Sequence, residues 1–152
     1  MKKKTLYMET TGISVNKTIG EIQSELAQYG AKKIIIDYEN GSPEGLIFSI
    51  DINNKETPFR LPCRWKAVYE LLLSKIKRCR DKTDYQERAK KIAWRQIYRW
   101  IQSQLALINT EMVSIREIFL PFQLCKNQNT IFENIISNQT KMIDFKENES
   151  NE

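Results

Sequence analysis

The side chains best suited to chemistry in this chain are four carboxylates, Glu9, Asp37, Glu39 and Asp51, at or near the ends of expected strands. If they converged they would hold a magnesium ion for phosphodiester cleavage, because hard divalent cations take oxygen ligands. Their spacing is generic, and acids at strand ends and turns ordinarily face solvent. The absence of His removes the side chain that titrates nearest neutrality. His-dependent triads and H-E-x-x-H zinc sites go with it. Cys63, between Pro62 and Arg64, has bases nearby that favour a thiolate but no catalytic base or orienting partner. Cys63, Cys79 and Cys125 are odd in number and widely spaced, which suggests neither a disulfide framework nor a zinc site. Gly12, Gly20, Gly30, Gly41 and Gly45 form neither a G-x-G-x-x-G fingerprint nor a P-loop. No enzyme activity, metal or cofactor is expected from these patterns.

A basic stripe is more informative. With about 100° per residue counted from Tyr85, a helix over residues 83–109 places Arg88, Lys91, Arg95, Arg99 and Gln102 between roughly 240° and 320°. Ala93, Trp94, Ile97, Tyr98, Trp100, Ile101, Leu105 and Ile108 fall between roughly 60° and 220°. Guanidinium groups on successive turns suit the phosphates of a polyanion, and Tyr98 at the border suits stacking on an unpaired base. Arg60, Arg64 and Lys66 extend the expected surface. The plainer reading is the solvated face of an amphipathic helix. The apolar arc is wide for so small a domain, so an oligomer interface is expected around Trp94, Trp100, Leu105, Phe119 and Phe122, with core packing as the alternative.

The 152 residues suit a single domain, 1–143, with an acidic, disordered tail over 144–152. Formal charge is +5, and the tail carries −3, so the remainder carries +8. A basic field of this kind favours polyanions: nucleic acid, an acidic protein partner or an anionic membrane surface. No run approaches the roughly 20 apolar residues of a membrane span, and a cytoplasmic location is expected.

These residues need elements to position them. Residues 4–8 have strand composition. Val15, Ile19, Ile22, Leu26 and Tyr29 recur at helical spacing, with Thr18 and Glu21 fitting a capping box and Gly30 a stop. Residues 31–38 and 45–52 read as a hairpin across the 39–44 turn, and 57–61 as a third strand. Helices are expected over 64–80 and 83–109, followed by a small C-terminal helical element in which Thr130 and Glu133 form a capping box. The expected fold class is α+β, a β-α-β-β-β sheet covered by helices and followed by two longer helices.

The stretches Glu9-Thr10-Thr11 with Lys17-Thr18, Pro58-Phe59-Arg60-Leu61-Pro62, Ala93-Trp94-Arg95-Gln96 and Phe119-Leu120-Pro121-Phe122 give the chain its resemblance to a short, uncharacterised type of protein carried by bacteria, prophages and mobile elements. The resemblance implies a genomic setting and carries over no functional residue. The leading expectation is therefore a phage or mobile-element accessory protein that binds nucleic acid, single strands included, through the basic stripe. A protein-binding factor, such as an inhibitor of a host defence system, is the alternative, and a metal-dependent nuclease stands third.

Overall fold

The computed structural model describes residues 5–76 and 82–138. Cys79, the end of the expected helix over 64–80 and the acidic tail lie outside the described residues. The fold is α+β, with five helices and a three-stranded antiparallel sheet among the described residues.

The first helix, α1 (Val15–Gln28), begins where Ser14 accepts the Lys17 N–H at 3.2 Å and ends before Gly30, whose φ of 105° suits glycine. Ile19, Ile22 and Leu26 are buried along one stripe. The expected Thr18–Glu21 capping box does not form. Ser14 supplies the cap one turn earlier, which leaves Thr18 buried and Glu21 free to face another helix.

Strands β1 (Lys33–Glu39), β2 (Ser42–Ile52) and β3 (Lys55–Pro62) form a meander in the order β1-β2-β3. Asn40-Gly41 and Asn53-Asn54 all have positive φ, so each hairpin closes with a two-residue turn that matches strand twist. The first turn is thus shorter than the expected 39–44 segment, and β2 starts at Ser42. Register places Ile34, Phe48 and Phe59 side by side, as it does Ile36, Leu46 and Leu61. This is the core face. Lys33, Ile35, Ile47, Ser49 and Arg60 take the other.

Residues 5–8 do not form the expected first strand. The Glu9 carboxylate accepts the Leu6 N–H at 2.9 Å, the Glu9 N–H donates to the Leu6 carbonyl, and Met8 adopts a φ of 62°. The segment closes on itself as a turn, and among the described residues the sheet ends at β1.

Helix α2 (Trp65–Ser74) packs on α3 (Lys82–Asn109), a rod of 28 residues and about 42 Å. Beyond it come α4 (Ile115–Phe119), a 3-10 turn at Leu120–Phe122, and α5 (Ile131–Ser137). Capping boxes start α4 at Ser114 and Glu117 and α5 at Thr130 and Glu133, the latter as expected. The Leu124 N–H reaches the Pro58 carbonyl at 2.9 Å and fastens this C-terminal part to β3.

The wide arc of α3 finds its partners within the chain. Trp94 and Phe119 are fully buried, and Leu105 nearly so. Trp100 meets Phe119 and Phe122 edge-on at 5.5 and 5.7 Å, and Phe119 meets Phe48 at 5.4 Å. The five residues expected at an oligomer interface are therefore core residues or pack against the core. Their apolar area is covered by the sheet and by the turn after α4.

Gly45 sits where β2 passes close to β3. A Cβ there would lie 2.8 Å from the Leu61 carbonyl oxygen and 3.2 Å from the Pro62 Cα. Gly45→Ala is expected to cost about 1–3 kcal/mol through backbone displacement. Urea unfolding should show a lower midpoint with an unchanged slope; an unchanged midpoint would contradict this packing.

Candidate nucleic-acid interface

The stripe on α3 does not stand in solvent as one surface. The Arg95 side chain is only 7% exposed, its Nη1 donates to Glu21 Oε2 on α1, and its guanidinium lies 4.5 Å from the Tyr98 ring centroid. Tyr98 is buried too. Gln102 Nε2 donates to Glu25 Oε1 at 3.1 Å and to the Tyr98 hydroxyl at 2.8 Å, and Arg99 Nη1 donates to Gln102 Oε1 at 3.1 Å. Glu21 and Glu25, one turn apart on α1, are the anions that this part of the stripe follows. Arg95 and Tyr98 are thereby withdrawn from the expected phosphate and base contacts, because α1 covers them. Arg99 remains exposed.

The first turn of the stripe meets the N-terminal segment. Arg88 Nη2 donates to the Glu9 carbonyl at 3.3 Å and lies 3.9 Å from its carboxylate, while Lys75 reaches the same carboxylate at 3.4 Å. Gln96 Nε2 donates to the Tyr7 carbonyl at 2.8 Å. The Leu6 N–H, with Lys75 and Arg88 beside it, holds the Glu9 carboxyl below its ordinary value near 4.5. On the outer sheet face, Arg60 donates to the Gln128 carbonyl at 3.0 Å, away from α3.

Besides Arg99, three of the expected residues remain available, around the start of α2 and the first half of α3. Among the described residues Arg64, Lys66 and Lys91 pair with no acid, and Arg64 and Lys66 are exposed. Lys66 and Lys90 lie 5.9 and 4.9 Å from the Trp65 ring centroid, and Trp65 Nε1 donates to Glu44 Oε1 at 2.7 Å. Lys90 and Lys91 also line an open cleft of about 470 Å³ with Ser14, Asn16, Asn40 and Ser42. Glu87 lies in the same cleft and accepts from Lys90 at 3.0 Å. The Ser42 hydroxyl is buried without a hydrogen-bond partner. Lysines, amides and a hydroxyl around an open depression are groups that bind phosphate oxygens.

The helical wheel missed Lys90 because it falls at roughly 140°, inside the apolar arc. A lysine within such an arc beside buried neighbours needs a partner, and here the Trp65 ring and Glu87 supply it. Glu21 and Glu25 were missed because a wheel describes one helix and not what packs against it.

The four carboxylates do not converge on one point. Glu9 is held by Lys75 and Arg88, and Asp51 pairs with Lys32. Among the described residues no three His, Cys, Asp or Glu side chains are grouped to hold a metal ion. Cys63 is buried, and burial with Glu44 nearby pushes its thiol up to about 12, the opposite of an activated thiolate. No described helix is long and apolar enough to cross a membrane.

No family model, curated protein or solved structure matches the chain.

Two outcomes follow from the joint and the N-terminal clasp. Glu21→Ala leaves the buried Arg95 guanidinium unpaired, with its Nε already lacking a partner, and is expected to cost about 3 kcal/mol in urea unfolding. A loss below about 0.5 kcal/mol would place this pair among ordinary surface pairs. Glu9 titrates lower folded than unfolded, so its contribution is full above its ordinary value and fades as pH falls through the lowered one. Glu9→Gln should therefore lower stability at neutral pH and flatten the loss of stability between about pH 4.5 and more acid conditions. An acid limb as steep as in the parent protein would count against the clasp.

Proposed function

We propose that this protein binds nucleic acid through the basic corner formed by Arg64, Lys66, Lys90 and Lys91, and not along the length of α3. The observation that carries the reading is this group of four bases, of which Lys90 alone meets an acid among the described residues, beside a cleft lined by hydroxyl and amide groups. Such a corner contacts the phosphate backbone, so the reading is one of sequence-independent binding. Trp65 is buried beneath its lysines and Tyr98 beneath α1, so neither ring is offered to a base. Tyr38 is 64% exposed and pairs across the sheet with Pro43, which lines the cleft. It replaces Tyr98 as the stacking ring for a single strand. An accessory role in a phage or mobile element is the setting that the sequence resemblance implies.

A protein partner is the second reading, and one observation favours it. Helix α5 buries no residue and exposes Phe132, Ile135 and Ile136, an apolar group suited to a protein surface. An inhibitor of a host defence system would use this end of the molecule.

The test is fluorescence anisotropy with a labelled oligonucleotide at several salt concentrations. With about three backbone contacts on a single strand, log K should fall against log salt with a slope near −2, at roughly −0.7 per contact. Lys66→Ala with Lys91→Ala should flatten that slope by about 1.4, whereas Tyr38→Ala should lower affinity and leave the slope unchanged. Glu87→Gln should tighten binding by removing the one acid of the cleft. Absence of saturable binding at low salt by the folded protein would overturn the reading in favour of a protein partner.

A further inference from the structure

We infer that the free edge of β1 pairs with the β1 edge of a second copy of this chain, antiparallel and centred on Ile35. Among the described residues β1 is hydrogen-bonded only on its β2 side, so its other side presents unpaired backbone groups. The strand has the marks of an unfinished core. Ile34 and Ile36 belong to the core face yet stay partly exposed, and Ile35 on the outer face is 53% exposed.

The sequence of this edge is self-complementary. Over Lys33-Ile34-Ile35-Ile36-Asp37, an antiparallel pairing about Ile35 sets Lys33 opposite Asp37 of the second copy, Ile34 opposite its Ile36, and Ile35 opposite its Ile35. By the two-fold symmetry each of the unlike pairs occurs twice. Faces match as well, because both isoleucines of the core face meet isoleucines of the core face, and the two sets of helices lie on one side of a six-stranded sheet. Sliding the register by two residues sets Ile35 against Asp37 or against Lys33 and loses the agreement. The irregularity between Asp37 and Tyr38 marks where regular pairing stops. Lys33 pairs in the single chain with Glu56 at 3.0 Å, but its side chain is largely exposed, so this weak pair does not hold it from a new partner.

This interface is independent of the nucleic-acid reading, and it differs from the α3 arc, whose residues the chain itself buries. Light scattering coupled to size exclusion at tens of micromolar should give twice the 18.0 kDa chain mass. Lys33→Glu sets two acids against each other in both symmetric pairs, and Asp37→Lys sets two bases; each should give the chain mass. Combining Lys33→Glu with Asp37→Lys restores opposite charges and should restore the doubled mass. Ile35→Lys, at an exposed position, should also give the chain mass, and circular dichroism with thermal melting checks that each variant is folded. A parent protein at the chain mass across the accessible concentrations, single variants that remain dimeric, or a folded double variant that stays at the chain mass would each overturn the inference.

Discussion

What α3 offers to its surroundings depends on the burial of one guanidinium. Arg95 lies under α1, bonded to Glu21 and stacked on Tyr98. A buried charge is tolerated only when an opposite charge and hydrogen bonds replace the water it has lost. Glu21 meets that demand and fixes the face that α1 turns towards α3. Glu25 continues the same line by accepting from the Gln102 amide, and the Tyr98 hydroxyl accepts from the same nitrogen. With α1 docked in this way, Ile19, Ile22 and Leu26 are carried into the core beside Ile92, Ile101 and the sheet. The basic stripe is thus, over its middle turns, a joint between two helices.

Much of the fold was legible because local chemistry decides it. Gly30 ends α1 through a backbone conformation few other residues adopt easily, and Thr130 with Glu133 starts α5 by satisfying each other's backbone neighbour. Residues 45–52 read as a strand because Leu46, Phe48 and Ile50 alternate, and these three are buried in β2. Other features depend on what lies opposite, which a single segment does not encode. Residues 5–8 have strand composition, but Glu9 captures the Leu6 N–H and turns the chain away from the sheet. The breadth of the apolar arc on α3 measured how much surface must be covered. It did not tell whether Phe119 and the sheet or another subunit would cover it.

The candidate site was legible in part for the same reason. Arg64, Lys66 and Lys91 were picked out as bases, yet the angles grouped Lys91 with Arg95 and Arg99 when the fold groups it with Lys90 and the Asn40-Gly41 turn. Charge was misjudged in a similar way. The described residues hold 16 bases and 14 acids, a net charge of +2 out of the +5 of the whole chain. Six of those 16 bases, Lys32, Lys33, Lys75, Arg88, Lys90 and Arg95, face acids of the same chain, so the described body has little general positive field. The proposed reading therefore depends on where bases gather, and Lys66 and Lys90 gather over Trp65 beside the cleft that Lys90 and Lys91 line.

The joint itself is the claim on which this picture stands, and a double-mutant cycle measures it most directly. Arg95→Ala, Glu21→Ala and the combined variant should be unfolded in urea beside the parent protein, so that the losses common to each truncation cancel. A buried joint between α1 and α3 predicts a coupling energy of about 2 kcal/mol or more. A coupling below about 0.5 kcal/mol, the size found for exposed ion pairs, would contradict it and return Arg95 to the solvent-facing stripe.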